Sequence, residues 1–378
     1  MFTKLGRTVG AMVAGSAAVA MAVAMAPAAS ASTPDSNNFI PSVLSASTYR
    51  IAGSDRIATA IKAAQTRVGW GYKATIGGEF VNGCNVIIAR DDAFPDALVS
   101  GPLAGSRHAP ILVNPTATLD SRVAAEVGIL KGQCNSTPHH APFKVTIVGG
   151  QAAISDGVAN ALMGYGAVER LQGIDRYATA IAVGHAVLWD NHQIWGLRNT
   201  NVFLATGENF PDALAAGATA AHKNGIVLLT RSTVMDPGTK VFMGQIAKDV
   251  WWIPTPTVYA VGGWAATASP DSISFVGVDR YETAALLADH FFQFGPSQGQ
   301  TQNVGVASGE NYADAVIAGG FMANSDGPLL LTGKLSLDHY TEAYLSSQRD
   351  WVNHAFVFGG TDVLLPGIAT SVSDALFN

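Results

Sequence analysis

The sequence RLQGIDRYATA at Arg170–Ala180 decides the fold, because the chain contains it more than once. It occurs first as RIAGSDRIATA at Arg50–Ala60 and last as SFVGVDRYETA at Ser274–Ala284. In each copy, which we call a GxDR phrase, a glycine precedes an Asp-Arg pair: Gly53 before Asp55-Arg56, Gly173 before Asp175-Arg176, and Gly277 before Asp279-Arg280. A phrase that recurs in this way indicates internal repeats, and repeats govern how the rest of the chain is interpreted.

Two further phrases follow each GxDR phrase in the same order. The first, the FPDA phrase, reads DDAFPDAL at Asp91–Leu98, GENFPDAL at Gly207–Leu214 and GENYADAV at Gly309–Val316. The second is a Gly-Gly pair after a short apolar run, at Gly149-Gly150, Gly262-Gly263 and Gly359-Gly360. Three phrases in one order, at a period of roughly 100 to 120 residues, predict a tandem triplication. We assign repeat 1 to residues 50–167, repeat 2 to 168–272 and repeat 3 to 273–378.

The N-terminus is predicted to be a secretory signal peptide at residues 1–31. Lys4 and Arg7 precede an uncharged apolar run at Val9–Ala26, and Ala29-Ser30-Ala31 has the small residues of a cleavage site. The alternative is an uncleaved membrane anchor, which the Ala-rich, Leu-poor composition disfavours. A flexible lead-in is expected at residues 32–49, and no later run is long and apolar enough to span a membrane. The C-terminal SDALFN shows no wall-sorting signal, so we expect an exported protein that binds the cell surface non-covalently or not at all.

The charge of the mature chain excludes one class of partner. The full chain has a net charge of −6, and removal of Lys4 and Arg7 with residues 1–31 gives −6 − 2 = −8. Nucleic-acid binding leaves a basic footprint, which an acidic chain lacks. An anionic ligand must therefore be bound by local positive groups.

The two cysteines are Cys84 and Cys134, both in repeat 1. Each precedes an apolar run with the pattern of a buried strand, Asn85–Ala89 and Val145–Val148. Strand starts gather at one edge of a parallel sheet, so we expect a disulfide, which would stabilise the fold by about 4 kcal/mol in the chain-entropy model. The alternative is a pair of unbonded buried thiols.

Strand and helix patterns alternate in every repeat. In repeat 2, apolar runs at Val202–Ala205, Gly225–Thr230 and Thr257–Val261 alternate with helical spacing such as that of Asp212–His222. This alternation predicts an α/β fold of three tandem, small, doubly wound parallel-sheet modules. Three stretches before equivalent strands are predicted surface insertions: Gly69–Gly83, Asp190–Asn201 and Gly295–Asn303.

All three phrases lie after a predicted strand and before a predicted helix. In an open parallel sheet such positions meet at the carboxyl edge, where these folds bind ligands. The repeated residues are therefore candidates for ligand binding or for contacts between repeats, and we call them the rim: Asp55, Arg56, Asp96, Asp175, Arg176, Asp212, Asp279, Arg280, Asp314, Gly149, Gly150, Gly262, Gly263, Gly359 and Gly360.

A purely structural interpretation of the rim stays open. Asp55, Asp175 and Asp279 are placed to cap helices, the arginines of the GxDR phrases have the FPDA aspartates as candidate partners, and the Gly-Gly pairs suit tight turns. Helix capping alone does not require an arginine and an aspartate at the same places in three copies. Part of the rim is therefore expected to serve binding or inter-repeat contacts.

The phrases GxDRYxTA, GENFPDALAA, an IVLLT strand and VGG resemble the cell wall binding repeat type 2 family over Arg50–Asn378. The resemblance implies α/β modules in a pseudo-threefold arrangement within one chain. It also implies non-covalent anchoring to an anionic secondary wall polymer of Gram-positive bacteria. Repeat 3 departs from the pattern with Ser274, Glu282 and Ala313, and repeat 1 with Arg90-Asp91-Asp92-Ala93, so unequal sites are expected, with repeat 2 closest to the family pattern.

We find no sequence motif for catalysis, a cofactor or a metal in the repeats. His139-His140 is interpreted as a solvated loop pair, and the tryptophans Trp251, Trp252, Trp264 and Trp351 as packing residues rather than sugar platforms. The predicted function is a non-catalytic wall-binding protein that holds an anionic secondary polymer or peptidoglycan. Backbone N–H groups at helix N-termini and Arg56, Arg176 and Arg280 are expected to make the contacts. The alternatives are a modifier or cryptic wall hydrolase associated with an amidase, and a surface protein-interaction scaffold.

Overall fold

The computed structural model describes residues 47–66, 75–76, 79–80, 84–93, 96–136, 142–193, 200–249, 256–293 and 302–378. Several predictions fall outside these residues: the signal peptide, the lead-in before residue 47, most of the Gly69–Gly83 insertion, His139-His140, Trp251 and Trp252. Within the described residues, no helix is long and apolar enough to cross a membrane.

The elements follow one pattern three times. Repeat 1 contains α1 (Arg56–Gln65), β2 (Thr75–Ile76), β3 (Glu79–Phe80), β4 (Asn85–Arg90), a short 3-10 turn continued by α2 (Ser100–Arg107), β5 (Ile111–Asn114), α3 (Ser121–Asn135), β6 (Lys144–Val148) and α4 (Asp156–Leu162). Repeat 2 contains α5 (Arg176–Gln193), β8 (Asn201–Thr206), α6 (Pro211–His222), β9 (Ile226–Thr230), α7 (Pro237–Asp249), β10 (Thr257–Val261) and α8 (Gly263–Ala268). Repeat 3 contains α9 (Arg280–Phe291), β12 (Asn303–Ser308), α10 (Tyr312–Ser325), β13 (Leu329–Thr332), α11 (His339–Ser347), β14 (His354–Phe358) and α12 (Pro366–Phe377).

Three more strands precede the GxDR phrases and complete the sheets: β1 (Ser47–Ile51), β7 (Ala167–Leu171) and β11 (Ile273–Phe275). The sheet orders are β5-β4-β6-β7, β9-β8-β10-β11 and β13-β12-β14-β1, and neighbouring strands in all three are parallel. The same strand order in three parallel sheets confirms the predicted α/β architecture.

The sheets are offset from the sequence repeats. The strand before each GxDR phrase belongs to the sheet of the preceding repeat, so β7 pairs with β6 rather than with a strand of repeat 2. The third sheet is completed by β1 from the start of the chain, with Ser47 opposite His354 and Ile51 opposite Phe358. We refer to each sheet and its helices as a module. The lead-in predicted at 32–49 therefore ends earlier, because Ser47–Tyr49 are part of a strand.

The three central helices α2, α6 and α10, which follow the FPDA phrases, pack against one another pairwise. Small residues permit this close approach: a Cβ atom at Gly101 would lie 3.0 Å from the Cα of Gly217, and one at Gly105 would lie 2.8 Å from the Cβ of Ala221. Gly101 and Gly217 occupy equivalent positions of the FPDA helices. This packing is the pseudo-threefold arrangement that the resemblance implied.

Two local differences from the predictions follow from longer helices. Helix α3 continues to Asn135, so Cys134 lies in its last turn, where it forms a disulfide with Cys84 at a Cα–Cα distance of 5.4 Å. Helix α5 continues to Gln193, so Asp190 and Asn191 are buried helix residues rather than part of a surface insertion. Asp190 is held at this helix end by an ion pair with Arg107.

Candidate functional site

The aspartate of each GxDR phrase caps the helix that follows. Each carboxylate accepts backbone hydrogen bonds at 2.8 to 3.0 Å in the first turn: Asp55 from Ala58, Asp175 from Ala178, and Asp279 from Tyr281 and Glu282. Helix capping therefore accounts for the position of all three carboxylates. It also means that N–H groups in the first turns of α1, α5 and α9, which the sequence suggested as polymer donors, already have acceptors.

The glycine of each phrase is required by close packing at the same helix start. Its N–H donates to the hydroxyl of a threonine six residues later, at 3.0 Å for Gly53 with Thr59 and 3.1 Å for Gly173 with Thr179 and for Gly277 with Thr283. A Cβ atom at Gly53 would lie 2.4 Å from the backbone of Ala58, which no side chain tolerates. The Gly-to-Thr spacing is thus a structural signature of the phrase.

The arginine of each phrase makes the same contact three times. Its guanidinium donates to a backbone carbonyl at the end of the next module's first strand: Arg56 to Asp91, Arg176 to Gly207 at 2.5 Å, and Arg280 to Gly309 at 2.5 Å. Arg56 is exposed and the other two are half-buried. Each arginine is therefore fixed on a strand-end carbonyl and remains partly exposed, and Arg56 donates in addition to the hydroxyl of Tyr312 at 3.2 Å.

These arginines lie where two modules meet. Helix α5 contacts α2 of the preceding module and β9 of its own, α9 likewise contacts α6 and β13, and α1 contacts α10 and β5. Each of these helices therefore bridges two modules, and its first residue is the arginine of the phrase. We name the three positions the 3/1 junction (Arg56), the 1/2 junction (Arg176) and the 2/3 junction (Arg280).

The FPDA aspartates meet the first glycine of the Gly-Gly pairs. Gly149, Gly262 and Gly359 have φ of 109°, 83° and 116°, which favours glycine. A Cβ atom at these positions would lie 2.8 Å from Asp96, 2.0 Å from Asp212 and 2.9 Å from Asp314. The second glycines Gly150, Gly263 and Gly360 lie beside this contact at the surface or half-buried. The glycines thus provide both the turn and the space for a carboxylate.

At two junctions the GxDR arginine acts on the FPDA aspartate through its charge: Arg280 on Asp212 and Arg56 on Asp314. Burial raises the pKa of Asp212 to about 6, and the positive charge of Arg280 opposes this shift. Burial also raises the pKa of Asp314, which Arg56 and a hydrogen bond to Thr59 counteract. The pairing proposed in the structural interpretation is therefore electrostatic, between the aspartate of one module and the arginine that leads into the next.

We expect Asp212→Asn to stabilise the protein at pH 7. In the folded state the pKa of Asp212 is raised from 3.8 to about 6, so the fold prefers the protonated acid. The stabilisation that the protonated Asp212 gives to the folded state is fully present below pH 4 and is lost as pH rises through 6. An amide cannot ionise, so the variant should gain about 1 to 3 kcal/mol at pH 7 and show a flatter stability profile between pH 4 and 6.

The measurement is urea unfolding from pH 4 to 7.5, with the exposed Asp271→Asn as the control for loss of a surface carboxylate. A variant at position 212 that is less stable than the wild type at pH 7 would show that the Arg280 charge outweighs burial.

Sequence reasoning missed the arginines that hold the capping aspartates. Arg122 pairs with Asp55 at 2.8 Å, and Arg231 pairs with Asp175 at 2.8 Å and stacks on the ring of Tyr177 at 4.0 Å. The two occupy different positions in their repeats, since Arg122 follows a helix-capping aspartate by two residues and Arg231 precedes one by five. No repeated spacing could have identified them; only the fold brings both to the same place.

The junctions differ in positive charge. Among the described residues, the 3/1 junction contains Arg56, Arg90 and Arg122, and the 1/2 junction contains Arg176 and Arg231. At the 2/3 junction no arginine of the described part of the chain pairs with the helix cap Asp279, and the position of Arg122 is taken by Tyr340, near Asp279 and Glu282. The three junctions are therefore unequal, as the departures in the sequence suggested.

Of the described residues, no group of three or more His, Cys, Asp or Glu side chains is arranged to hold a metal ion. The tryptophans Trp264 and Trp351 differ in exposure. Trp351 is half-buried, whereas Trp264, which we had interpreted as a packing residue, is 46% exposed directly after a Gly-Gly pair. Trp264 is therefore not a core residue, and it lies at the surface in the first turn of helix α8.

Comparisons with known proteins agree with this architecture. The family model for cell wall binding domain 2 matches residues 50–159, 170–271 and 275–369. The chain is similar to the N-acetylmuramoyl-L-alanine amidase LytC of Bacillus subtilis, with 25% identity over 90% of this chain and 60% of that protein. It is also similar to the amidase enhancer of the same organism, with 26% identity over 87% of this chain and 41% of that protein.

Two solved structures share the fold. Cwp6 from Clostridium difficile has a TM-score of 0.69 at 19% identity, over 88% of this chain and 48% of its own. Cwp8 from the same organism has a TM-score of 0.67 at 21% identity, over 87% and 51%. The chain thus spans between two fifths and three fifths of the length of these relatives. The three matches of the family model, one for each predicted repeat, show that the chain belongs to the cell wall binding domain 2 family and is a cell wall-binding protein.

Proposed function

We propose that this protein is exported, non-catalytic, and anchored non-covalently to an anionic secondary polymer of a Gram-positive cell wall. The observation that carries the proposal is the threefold recurrence of one contact: an arginine at each junction, fixed on a strand-end carbonyl and partly exposed. A guanidinium held in this way is prepared to bind phosphate or carboxylate groups, because less side-chain entropy is lost on binding.

The geometry favours a polymer over a single small anion. Three junctions belong to one rigid body around the central helices, so a polymer bound at one junction presents its next anionic groups to the others at high effective concentration. Three weak sites then give strong attachment. The protein has a net negative charge and repels anions as a whole, so an anionic polymer must be bound by local positive groups.

The non-catalytic part of the proposal rests on how the repeated carboxylates are used. The GxDR aspartates cap helices, and the FPDA aspartates are packed against glycines at the module edges. Acid-base catalysis requires a carboxyl pair that faces a substrate in a pocket. The repeated carboxylates support the fold instead, which leaves the arginines as the groups available for a ligand.

The test is co-sedimentation of residues 32–378 with purified walls of a Gram-positive bacterium that makes the protein, before and after acid extraction of the secondary polymers. We expect binding that disappears with the extracted polymer and weakens as salt is raised, because screening reduces charge-driven contacts. Unchanged binding to extracted walls would redirect the proposal to peptidoglycan. Failure to bind either preparation would overturn it.

A second candidate is a modifier of a wall amidase, since the matched curated relatives are named an amidase and an amidase enhancer. The protein would then change the rate at which an amidase solubilises walls to which both are bound. Turbidity loss of walls with the amidase alone, with the protein alone and with both distinguishes the cases. A rate that depends on the protein only through competition for wall sites would reject this role.

A further inference from the structure

The surface beside the Gly-Gly pair differs in chemistry among the three modules. Three positions are equivalent in each module: the residue directly after the Gly-Gly pair and the two residues that flank the GxDR glycine. They are Gln151, Gln172 and Ile174 in the first module, Trp264, Val276 and Val278 in the second, and Thr361, Ala52 and Ser54 in the third. The spatial relation is the same, because a Cβ at Gly150 would lie 3.5 Å from Gln172 and one at Gly263 would lie 3.7 Å from Val276. The first module therefore presents two amides and the fully exposed Ile174, the second an indole with two valines, and the third small side chains.

The residue directly after the Gly-Gly pair is exposed in all three modules, and a sequence departure changes the hydrogen bonding around it in the second. In the first and third modules an arginine before the GxDR phrase donates to the carbonyl of the positive-φ glycine, Arg170 to Gly149 at 3.0 Å and Arg50 to Gly359 at 2.8 Å. In the second module this position is Ser274, which is too short for that contact. The carbonyl of Gly262 accepts from the N–H of Ala266 instead, at 3.1 Å, which starts helix α8 and places Trp264 in its first turn.

The resulting surface is apolar and open. Trp264 is 46% exposed, Val276 46% and Val278 81%. Thr267, one helical turn after Trp264 and also exposed, adds a hydroxyl to the same helix face. This surface of Trp264, Val276 and Val278 belongs to the 2/3 junction, because Gly262 packs on Asp212 and the positive charge of Arg280 acts on Asp212.

The size of the platform indicates its occupant. A stable protein interface requires about 800 Å² on each partner, far more than one indole and two valines provide. An indole face is comparable in area to one pyranose ring, whose axial C–H groups form an apolar face and whose hydroxyls lie around the edge. The mixture of apolar face and neighbouring hydroxyl therefore matches a sugar ring rather than a protein.

We propose that Trp264, Val276 and Val278 form a stacking platform for a sugar ring of the wall polymer. The 2/3 junction then adds recognition of the sugar to the charge contact that Arg280 shares with Arg56 and Arg176 of the other two junctions. This inference rests on the proposed function, since it names the part of the polymer that the second module binds.

The experiment compares the wild type with Trp264→Ala, Trp264→Phe and Trp189→Ala in co-sedimentation with intact walls and in titration with the polymer that acid releases from them. Trp189 is the matched control, because it is 66% exposed and lies about 20 Å along helix α5 from Arg176. We expect Trp264→Ala to weaken binding about fivefold to tenfold and Trp264→Phe about twofold or less, because a smaller aromatic ring still stacks. Trp189→Ala should bind as the wild type does.

The outcomes separate this inference from the proposed function. Wall binding by Trp264→Ala equal to that of the wild type overturns the platform and leaves the anchor intact. If the wild type binds polymer-stripped walls and Trp264→Ala does not, the occupant is not the extracted polymer, which also overturns the platform. Failure of the wild type to bind walls or released polymer overturns the proposed function itself. Circular dichroism of each variant excludes loss of folding as the cause, and the exposed position of Trp264 makes such loss unexpected.

Discussion

Replacement of Arg56, Arg176 and Arg280 by glutamine in one variant is expected to reduce wall affinity by at least a hundredfold. Each arginine occupies the same place at a junction and donates to a strand-end carbonyl, so the three are geometrically equivalent. A charge-assisted hydrogen bond contributes about 1.5 to 3 kcal/mol, and linked sites multiply their individual contributions. Single replacements should weaken binding by about tenfold or less each, because two junctions remain.

The matched control removes positive charge from the same surface at other positions. Arg122 and Arg231 are 43% and 47% exposed, and their guanidinium groups are already paired with two aspartates each. The double variant Arg122→Gln, Arg231→Gln should therefore bind walls nearly as the wild type does. If this double variant loses as much affinity as a variant in which two GxDR arginines are replaced, binding responds to total surface charge and the assignment of the GxDR arginines is wrong.

The salt dependence adds an independent check. Binding through three fixed arginines should weaken steeply as ionic strength is raised, whereas the residual binding of the triple variant should be nearly flat. Thermal unfolding of all variants is measured alongside. A triple variant that binds walls normally would leave the GxDR arginines with a structural role only.

Arg107→Met is expected to be the most destabilising single change, at about 3 to 5 kcal/mol. The guanidinium of Arg107 is buried and donates to Asp190, Thr146 and Glu169, each at 2.7 Å. These partners lie on α5, β6 and β7, so one side chain joins the first module to the helix that leads into the second. Methionine would fill much of the volume but leave the buried carboxylate of Asp190 without its cation.

The control is Lys223→Met, at the equivalent position after α6, where the side chain is half-buried and the amino group lies 6.0 Å from the centre of the Phe291 ring. Loss of this cation–π contact should cost about 1 kcal/mol or less. The double variant Arg107→Met, Asp190→Leu should recover part of the loss, because it removes the unpaired carboxylate as well. Chemical denaturation gives all values, and a loss below about 1 kcal/mol for Arg107→Met would show that water or another group compensates Asp190.

Much of the architecture could be predicted from the chain alone. The three phrases established the triplication, and the alternation of apolar runs and helical spacing gave the order of elements in each repeat. Helix capping by Asp55, Asp175 and Asp279 was also predictable, because a cap depends on backbone groups only two or three residues away. The need for glycine at position 53 is equally local, since its neighbour is the first turn of the same helix.

Tertiary structure alone decided which strand completes which sheet. Each GxDR phrase begins within a strand, so the sequence pattern assigns that strand to the repeat that the phrase opens. Parallel pairing instead assigns that strand to the preceding sheet, and Ser47–Ile51 pairs with His354–Phe358 at the other end of the chain. Nothing in a local pattern specifies a partner some 300 residues away, because the hydrogen-bonding groups are those of any strand.

The chemistry of the junctions divides in the same way. The sequence determined that an arginine and an aspartate recur at three equivalent places, and hence that three related sites exist. The fold decided that Arg280 lies near Asp212 and Arg56 near Asp314. It also decided that Arg122 and Arg231 reach equivalent helix caps from different positions, and that Trp264 is exposed. These relations depend on distances between separate modules, which are set by the close packing of α2, α6 and α10 and cannot be derived from neighbours along the chain.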